Sequence, residues 1–252
     1  MLESFNLEGK VAIVTGCNTG LGQGIAMGLA EAGCKVVGVN RTEPKETIEV
    51  MNAAGHTFLD VRADLLKQEC IPDIIEKALT EFGQIDILVN NAGIIRREDA
   101  IEFSERNWDD VMNINTKTVF FMSQSVAKQF KAQGTGGKII NIASMLSFQG
   151  GIRVPSYTAS KSAVMGITRA MANEWARDNI NVNAIAPGYM ETNNTQALRE
   201  DADRNQAILE RIPAERWGTP KDVAGPCVFL ASSASDYING YTIAVDGGWL
   251  AR

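Results

Sequence analysis

The stretch Val11-Ala-Ile-Val-Thr-Gly-Cys-Asn-Thr-Gly-Leu-Gly22 decides the fold, because an apolar run leads directly into closely spaced glycines. A short run rich in β-branched residues is typical of a strand buried on both faces of a sheet. Gly16 permits a tight turn, Gly20 lets the backbone approach a phosphate, and Gly22 allows close packing of strand and helix. The helix that follows offers free N–H groups to the phosphates. The stretch predicts a dinucleotide-binding turn, and without a Gly-Lys-Ser/Thr sequence a nucleoside-triphosphate loop is disfavoured.

Short apolar runs and longer helical stretches alternate along the rest of the chain. The predicted strands are Val11–Thr15, Val36–Asn40, Thr57–Leu59, Ile85–Asn90, Lys138–Ala143, Ile180–Ile185 and Thr242–Val245. The predicted helices cover roughly residues 20–33, 43–54, 67–82, 105–133, 156–178, 195–211 and 220–232. This alternation predicts one α/β domain over residues 1–252, a doubly wound parallel sheet of about seven strands with helices on both faces.

Composition excludes several classes of function. The net charge of −6, from 24 basic and 30 acidic residues, argues against a nucleic-acid partner. No apolar run approaches the roughly 18 residues of a membrane span, and Met1–Phe5 lack signal-peptide features. The four cysteines are dispersed, which predicts reduced thiols in a cytoplasmic protein. The single histidine, His56, rules out a two-histidine zinc site, so proton chemistry would use Tyr, Lys, Ser or a carboxylate, and no metal is expected.

Three residues predict a catalytic group. Ser144 ends an apolar strand, while Tyr157 and Lys161 lie four residues apart on one face of a predicted helix. Reduction of a carbonyl by hydride needs a proton donor, and oxidation of an alcohol needs the same group as a base. A nearby ammonium favours ionisation of a tyrosine, whose pKa is otherwise about 10. Ser144 would orient the substrate oxygen.

The end of the second predicted strand leaves the cofactor open. This position meets the adenosine ribose in dinucleotide-binding folds, where an acidic residue selects the 2′-hydroxyl of NAD. Here Asn40 can bond a hydroxyl but carries no charge, and Arg41 could pair with the 2′-phosphate of NADP. The residues alone therefore favour neither cofactor.

Together these motifs resemble the short-chain dehydrogenase/reductase family over essentially the full chain. The matching segments are Thr15–Gly22, Ala63–Leu65, Asn90–Gly93, Asn115, Ser144, Tyr157, Lys161, Pro187–Gly188 and Val245–Gly248. The resemblance implies a Rossmann-type sheet, a tetramer, and Asn115, Ser144, Tyr157 and Lys161 as catalytic residues. It also implies NAD, or NADP through Arg41, bound by Gly16, Asn18, Thr19, Gly20, Leu21, Gly22, Asn40, Arg41, Asp64, Leu65, Asn91, Ala92, Gly93, Tyr157, Lys161, Pro187, Gly188 and Thr192.

Longer stretches around Asn90, Ser144 and the carboxyl terminus resemble members of the family that act on a deoxy keto sugar acid in pectin and uronate breakdown. Such a substrate needs a cation for its carboxylate, and Arg fits one bidentately. Arg153 is favoured over Arg96 and Arg97 because it lies between Ser144 and Tyr157 in sequence. Gln149, Tyr189, Asn193 and Asn194 are candidates for the hydroxyls. The polar segment at about residues 188–213 is a candidate lid.

Two alternatives remain at this level. The chain could act on another polyol, a 3-oxoacyl thioester or a steroid ketone. It could also be a cofactor-binding regulator without catalysis, although the complete set of Ser144, Tyr157, Lys161 and Asn115 argues against that.

Overall fold

The structure, a computed structural model, describes residues 2–252 and contains seven parallel strands. In chain order these are β1 (Val11–Thr15), β2 (Lys35–Asn40), β3 (Phe58–Arg62), β4 (Ile87–Asn90), β5 (Gly137–Ile142), β6 (Ile180–Pro187) and β7 (Thr242–Val245). The helices are α1 (Gly20–Glu31), α2 (Lys45–Ala53), α3 (Ile71–Phe82), α4 (Glu105–Met112), α5 (Thr118–Gln133), α6 (Pro155–Trp175), α7 (Gln196–Glu200), α8 (Ala202–Arg211) and α9 (Pro220–Ala231).

The strands form one sheet in the order β3-β2-β1-β4-β5-β6-β7. The strand order reverses between β1 and β4, and the carboxyl ends of all parallel strands lie at one edge. Ligands of doubly wound folds bind outside those ends, next to the reversal point. The predicted Rossmann-type α/β fold is confirmed, and it brings the ends of β1, β2, β4 and β5 to a common site.

Two apolar clusters hold the sheet between its helices. On one face, Val14 of β1 packs with Ile25 and Leu29 of α1. On the other face, Ile13 of β1 packs with the cluster that includes Phe130 of α5. All five residues of β1 are buried, and each such Val or Ile side chain stabilises the fold by about 1.5–3 kcal/mol through burial. The continuous apolar pattern of the first strand is therefore explained by burial on both sides.

The outermost strands depart from the expected two-sided burial. Most residues of β3 and β7 are partly exposed, because each strand has a neighbour on one side only. The predicted strand Thr57–Leu59 was too short, since β3 runs to Arg62 through the polar residues Asp60 and Arg62. Polar side chains are tolerated at this edge because water reaches them.

The single helix predicted over residues 105–133 is interrupted. A π-helical turn at Asn113–Lys117 separates α4 from α5. Such wide turns inside α-helices often occur at functional sites. This one contains the completely buried Asn115. The apolar periodicity of the sequence continues through the turn, and so it could not reveal the interruption.

The candidate lid, residues 188–213, contains the short helices α7 and α8, and its first residues contact Gly218, five residues beyond its end. Glu191 N–H donates to Gly218 O at 2.7 Å, and Gly218 N–H donates to Tyr189 O at 2.9 Å. Ile208 and Ile212 pack with Met145, Trp217 and Trp249 in a separate small cluster. The segment is thus a polar insertion with its own apolar base, and its role as a lid stays a prediction. Across residues 2–252, no helix is both long and apolar enough to span a membrane.

Candidate active site

The glycine turn joins β1 to α1 as the sequence indicates. Gly16 has φ +67°, a left-handed conformation that favours glycine. A Cβ on Gly22 would lie 2.1 Å from Gly16 O, so only glycine allows α1 to begin this close to the turn. Thr19 precedes α1, and Asn18, Thr19 and Leu21 lie around the start of the helix. The amino end of a helix attracts anions through its N–H groups and its dipole, so the turn suits a pyrophosphate.

Asn40 is 3% exposed at the end of β2 and faces the glycine turn. Its Nδ2 donates to Cys17 Sγ at 3.5 Å. Its Oδ1 is buried and has no hydrogen-bond partner among the described residues. A buried acceptor without a partner costs roughly 1–3 kcal/mol, and a ribose hydroxyl would satisfy it. This orphaned oxygen fits a nucleotide cofactor, whereas Arg41, the next residue, is exposed.

Polar side chains connect the strand ends that would surround the cofactor. Asn91 Nδ2 donates to Thr15 O and Gly16 O, both at 2.9 Å, and Thr15 Oγ1 accepts from the N–H groups of Asn91 and Ala92 at 3.0 Å. The Asp64–Leu65 turn is fixed to α5, since Thr118 Oγ1 donates to Leu65 O at 2.6 Å. These contacts hold the predicted cofactor segments of β1, β3 and β4 in one rigid edge.

The opposite wall is formed by Pro187, Gly188 and Thr192. A Cβ on Gly188 would lie 2.7 Å from Asp246 Cα, so the Val245–Gly248 segment packs directly against this turn. A Cβ on Gly20 would lie 3.5 Å from Thr192 Cγ2, so Thr192 stands directly over the glycine turn. Gly93, beside the Asn91–Ala92 pair, is exposed. The structure therefore places Thr192 at the glycine turn, while the contacts of the predicted residues with a cofactor stay predictions.

Ser144 and Tyr157 meet at the carboxyl edge of β5. Ser144 follows β5 and is 8% exposed, and Tyr157 lies in the first turn of α6. Burial raises the pKa of Tyr157 above its ordinary value, while a side-chain hydrogen bond with Ser144 and the positive charge of Arg97 lower it. The phenol is therefore a protonated donor beside a second hydroxyl, as delivery of a proton to a carbonyl oxygen requires.

The ammonium of Lys161 lies beside the ring of Tyr157 but donates its hydrogen bond to the backbone of β5. Its Nζ donates to Ile142 O at 2.6 Å and lies 5.7 Å from the centre of the Tyr157 ring. Burial lowers the pKa of Lys161 to about 8. We expected the ammonium to lower the pKa of the phenol; the influences on Tyr157 in the folded chain are burial, which raises its pKa, and Ser144 and Arg97, which lower it.

Asn115 fixes the loop that leads from β4 toward the site. Its Oδ1 accepts from Ile94 N–H at 2.9 Å, and its Nδ2 donates to Ile94 O at 3.0 Å and to Ser160 Oγ at 3.1 Å. A Cβ on Gly93 would lie 3.0 Å from Asn115 Oδ1 and 3.8 Å from Lys161 Nζ. The π-helical turn thus brings Asn115 next to Lys161.

Sequence reasoning missed Ser147, which links two of the predicted catalytic residues. Its Oγ donates to Lys161 O at 2.7 Å and accepts from Ser144 N–H at 3.3 Å. Ser144 Oγ in turn accepts from Leu146 N–H at 3.2 Å. The two serines form a capping box around one 3₁₀ turn, and their spacing of three residues was the signal that could have found it.

The three arginines suggested by the sequence have different partners. Arg153 Nε forms an exposed salt bridge with Asp99 at 3.0 Å, and Arg96 pairs with Asp110 at 3.6 Å. Arg97 Nη2 donates to Asn194 O of the candidate lid at 3.3 Å and, within residues 2–252, Arg97 forms no salt bridge with a carboxylate. Of the three, Arg97 is the guanidinium whose charge reaches Tyr157.

The other substrate candidates have different surroundings. Tyr189 packs edge-on against Trp217 and Trp249, with ring centres 5.3 and 4.8 Å apart. Gln149 is half-buried in the loop after Ser144. Asn193 and Asn194 are exposed at the start of the candidate lid. No group of His, Cys, Asp and Glu within residues 2–252 could hold a metal ion.

Comparison with known proteins agrees with this geometry. Residues 16–250 match the family described as Enoyl-(Acyl carrier protein) reductase. The chain is 74% identical to 2-dehydro-3-deoxy-D-gluconate 5-dehydrogenase of Dickeya dadantii and 73% identical to the Escherichia coli enzyme of that name, over 100% of each chain. It superposes with a TM-score of 0.94 on a structure from Agrobacterium tumefaciens described as a 2-deoxy-D-gluconate 3-dehydrogenase with bound NADP. That protein is 56% identical, and the match covers 99% of both chains.

The fold, the Ser144–Tyr157–Lys161 cluster and these full-length similarities lead to one assignment. The chain belongs to the short-chain dehydrogenase/reductase family and is similar throughout its length to sugar-acid dehydrogenases.

Proposed function

We propose that the chain interconverts 2-dehydro-3-deoxy-D-gluconate and 3-deoxy-D-glycero-2,5-hexodiulosonate with NAD(H). The observation that carries this proposal is the Ser144–Tyr157 hydroxyl pair together with the guanidinium of Arg97, whose charge acts on Tyr157 and which forms no salt bridge within residues 2–252. The hydroxyl pair suits a reacting secondary alcohol or ketone, and the guanidinium suits the substrate carboxylate. The names of the relatives at 73–74% identity support this substrate.

In the reducing direction, the residues of the chain supply orientation and a proton. NADH, when bound, supplies the hydride that forms the new C–H bond. Ser144 donates a hydrogen bond to the carbonyl oxygen of the substrate, and Tyr157 transfers its phenolic proton to that oxygen as negative charge develops. In the oxidising direction, the Tyr157 phenolate accepts the proton of the alcohol. Lys161 would hold the cofactor ribose. Asn115 would hold a water that relays protons to solvent.

We assign the substrate carboxylate to Arg97 rather than to Arg153 or Arg96. Arg97 is not engaged by a carboxylate among the described residues, so a substrate carboxylate need not displace one. Hydrogen bonds to charged groups contribute about 1.5–3 kcal/mol, so Arg97→Gln should raise KM for the keto acid roughly ten- to hundredfold. Arg153→Gln is the matched control and should change KM little. Equal KM values for Arg97→Gln and the wild type would exclude this role.

The preference for NAD(H) rests on Asn40. Its buried Oδ1 can accept a hydrogen bond from a 2′-hydroxyl, whereas an ionised 2′-phosphate has no proton to donate there. The bound NADP of the Agrobacterium tumefaciens relative is the argument for the other cofactor, and Arg41 is the residue that would favour it. We further propose a place in pectin and uronate breakdown, a cytoplasmic location and a homotetramer, on the resemblance alone.

The deciding experiment measures initial rates of reduction of 3-deoxy-D-glycero-2,5-hexodiulosonate with NADH and NADPH side by side. We expect turnover with NADH, and a loss of at least about a hundredfold in Tyr157→Phe, which should still bind NADH. Turnover with NADPH but not with NADH would support the proposed substrate and contradict the proposed preference for NAD(H). Folded protein that binds NADH but reduces no keto acid would overturn the proposed substrate.

A further inference from the structure

An ion pair on β3 lies next to the proposed ribose position. Asn40 at the end of β2 is paired in register with Arg62, and Gly38 is paired with Asp60. Residues paired in register point to the same face of a sheet, and positions two apart along a strand share that face. A Cβ on Gly38 would point at Cys17 Sγ, 2.7 Å away, so this face is the one toward the glycine turn. Asp60 and Arg62 therefore flank Asn40 on the cofactor side.

Asp60 and Arg62 form an ion pair with each other. Arg62 Nε donates to Asp60 Oδ2, with the side chains 43% and 20% exposed. Asp60 Oδ1 is buried and has no hydrogen-bond partner among residues 2–252. Strand and pleat spacings place Asp60 about 8 Å from Asn40, which is within the Debye length of about 8 Å at physiological salt. The carboxylate is thus close enough to influence a charge bound at Asn40.

We propose that the Asp60–Arg62 pair determines the choice between NAD(H) and NADP(H), with Asp60 replacing the acidic residue that β2 lacks at Asn40. The inference rests on the proposed dinucleotide site. It places the residue that discriminates between the two cofactors on β3, the strand next to β2, instead of at the end of β2 itself.

Asp60 disfavours a 2′-phosphate in two ways that act together. Its carboxylate repels the phosphate directly, because like charges at this distance raise the energy of the bound state. It also engages the Arg62 guanidinium, whose planar fork would otherwise match a phosphate bidentately. Removal of the carboxylate would therefore replace a neutralised ion pair with an uncompensated cation near Arg41.

The test measures affinity for adenine nucleotides that lack nicotinamide. Calorimetric titration compares ADP with 2′,5′-ADP on the wild type, Asp60→Asn and the double variant Asp60→Asn/Arg62→Ala. We expect Asp60→Asn to bind 2′,5′-ADP about tenfold more tightly, with the affinity for ADP changed by less than about twofold. The double variant should lose most of that gain. Asp73→Asn, which breaks the exposed Lys77–Asp73 pair on α3, is the matched control and should leave both affinities unchanged.

Two results would overturn the proposal. One is an Asp60→Asn protein whose ratio of 2′,5′-ADP affinity to ADP affinity stays within about twofold of the wild-type ratio. The other is a gain of about tenfold in 2′,5′-ADP affinity that persists in the double variant. Asp60→Ser repeats the test if Asp60→Asn melts without cooperativity. Because the probes contain neither nicotinamide nor a sugar acid, failure of the proposed substrate leaves this measurement intact.

Discussion

At the scale of single residues, a hydroxyl outside the proposed catalytic group links two of its members. Ser147 joins the Ser144 N–H to the Lys161 carbonyl, and so it fixes the turn after β5 against α6. Precise placement of reacting groups contributes strongly to rate, and small displacements are costly. We therefore expect Ser147 to act as a positioning residue.

We expect Ser147→Ala to lower kcat about tenfold or more with little change in KM for the keto acid, since Ser144 and Tyr157 lose their common support. Ser147→Thr keeps the hydroxyl and should restore most of kcat. Steady-state kinetics on both variants measure this. Equal losses in the two variants would indicate a packing effect instead.

The pKa of Lys161, lowered to about 8 by burial, predicts a pH dependence of reduction. As pH rises through about 8, Lys161 loses its positive charge, while Tyr157 stays protonated because burial raises its pKa. If the ammonium holds the cofactor ribose, kcat/KM for NADH should fall above pH 8. The surface variant Lys77→Met should show the same profile, and a flat profile between pH 7 and 9 would contradict a role for the ammonium.

At the scale of elements, the site depends on how closely α1 approaches β1. The backbone around Gly16 and Gly22 leaves no room for a methyl group, because Gly16 O and Asn91 Nδ2 would lie 2.1 and 2.4 Å from a Cβ on Gly22. The same contact holds Asn91 in place, so packing of the helix and order at the cofactor edge depend on each other.

Two helical glycines should therefore respond oppositely to alanine. Gly22→Ala should destabilise the fold by about 1–3 kcal/mol through overpacking and weaken NADH binding. Gly166→Ala, on the exposed side of α6 with nothing within 4 Å of the added Cβ, should stabilise it by roughly 0.5–1 kcal/mol. Denaturant unfolding and NADH titration of both variants test this. A Gly22→Ala protein as stable as the wild type would show that the turn can move.

At the scale of the whole molecule, buried thiols link stability to alkaline pH. Burial raises the pKa of Cys34 from 9.0 to about 12, so this thiol stays neutral in the folded chain while the unfolded chain ionises. The folded state then binds more protons than the unfolded state, and stability falls as pH rises above 9. Its contribution is fully present below pH 9 and is lost as pH approaches 12.

The free energy of unfolding of the wild type, minus that of Cys34→Ala, should shrink above pH 9 by about 1.4 kcal/mol for each pH unit. Ile74→Val, a core substitution without a titratable group, should keep a constant difference over the same range. A constant difference for Cys34→Ala as well would mean that the thiol is not shielded. Urea unfolding at several pH values measures all three.

The sequence by itself determined the architecture and predicted the catalytic group. The apolar run before Gly16 predicts a strand buried on both faces, and the spacing of Tyr157 and Lys161 predicts a common helical face. Both are local properties of the chain, since strand burial and helix periodicity are set by neighbouring residues. The alternation of elements then leaves few ways to arrange a parallel sheet.

Only the tertiary structure decided the contacts between distant segments. The ion pair of Arg153 with Asp99 led us to propose Arg97 for the substrate carboxylate, and the register of β2 and β3 pairs Asp60 with Gly38, two residues from Asn40. In the folded chain, burial is the main influence that raises the pKa of Tyr157. Ion pairing, strand register and desolvation depend on residues far apart in sequence, and so no local pattern could have revealed them.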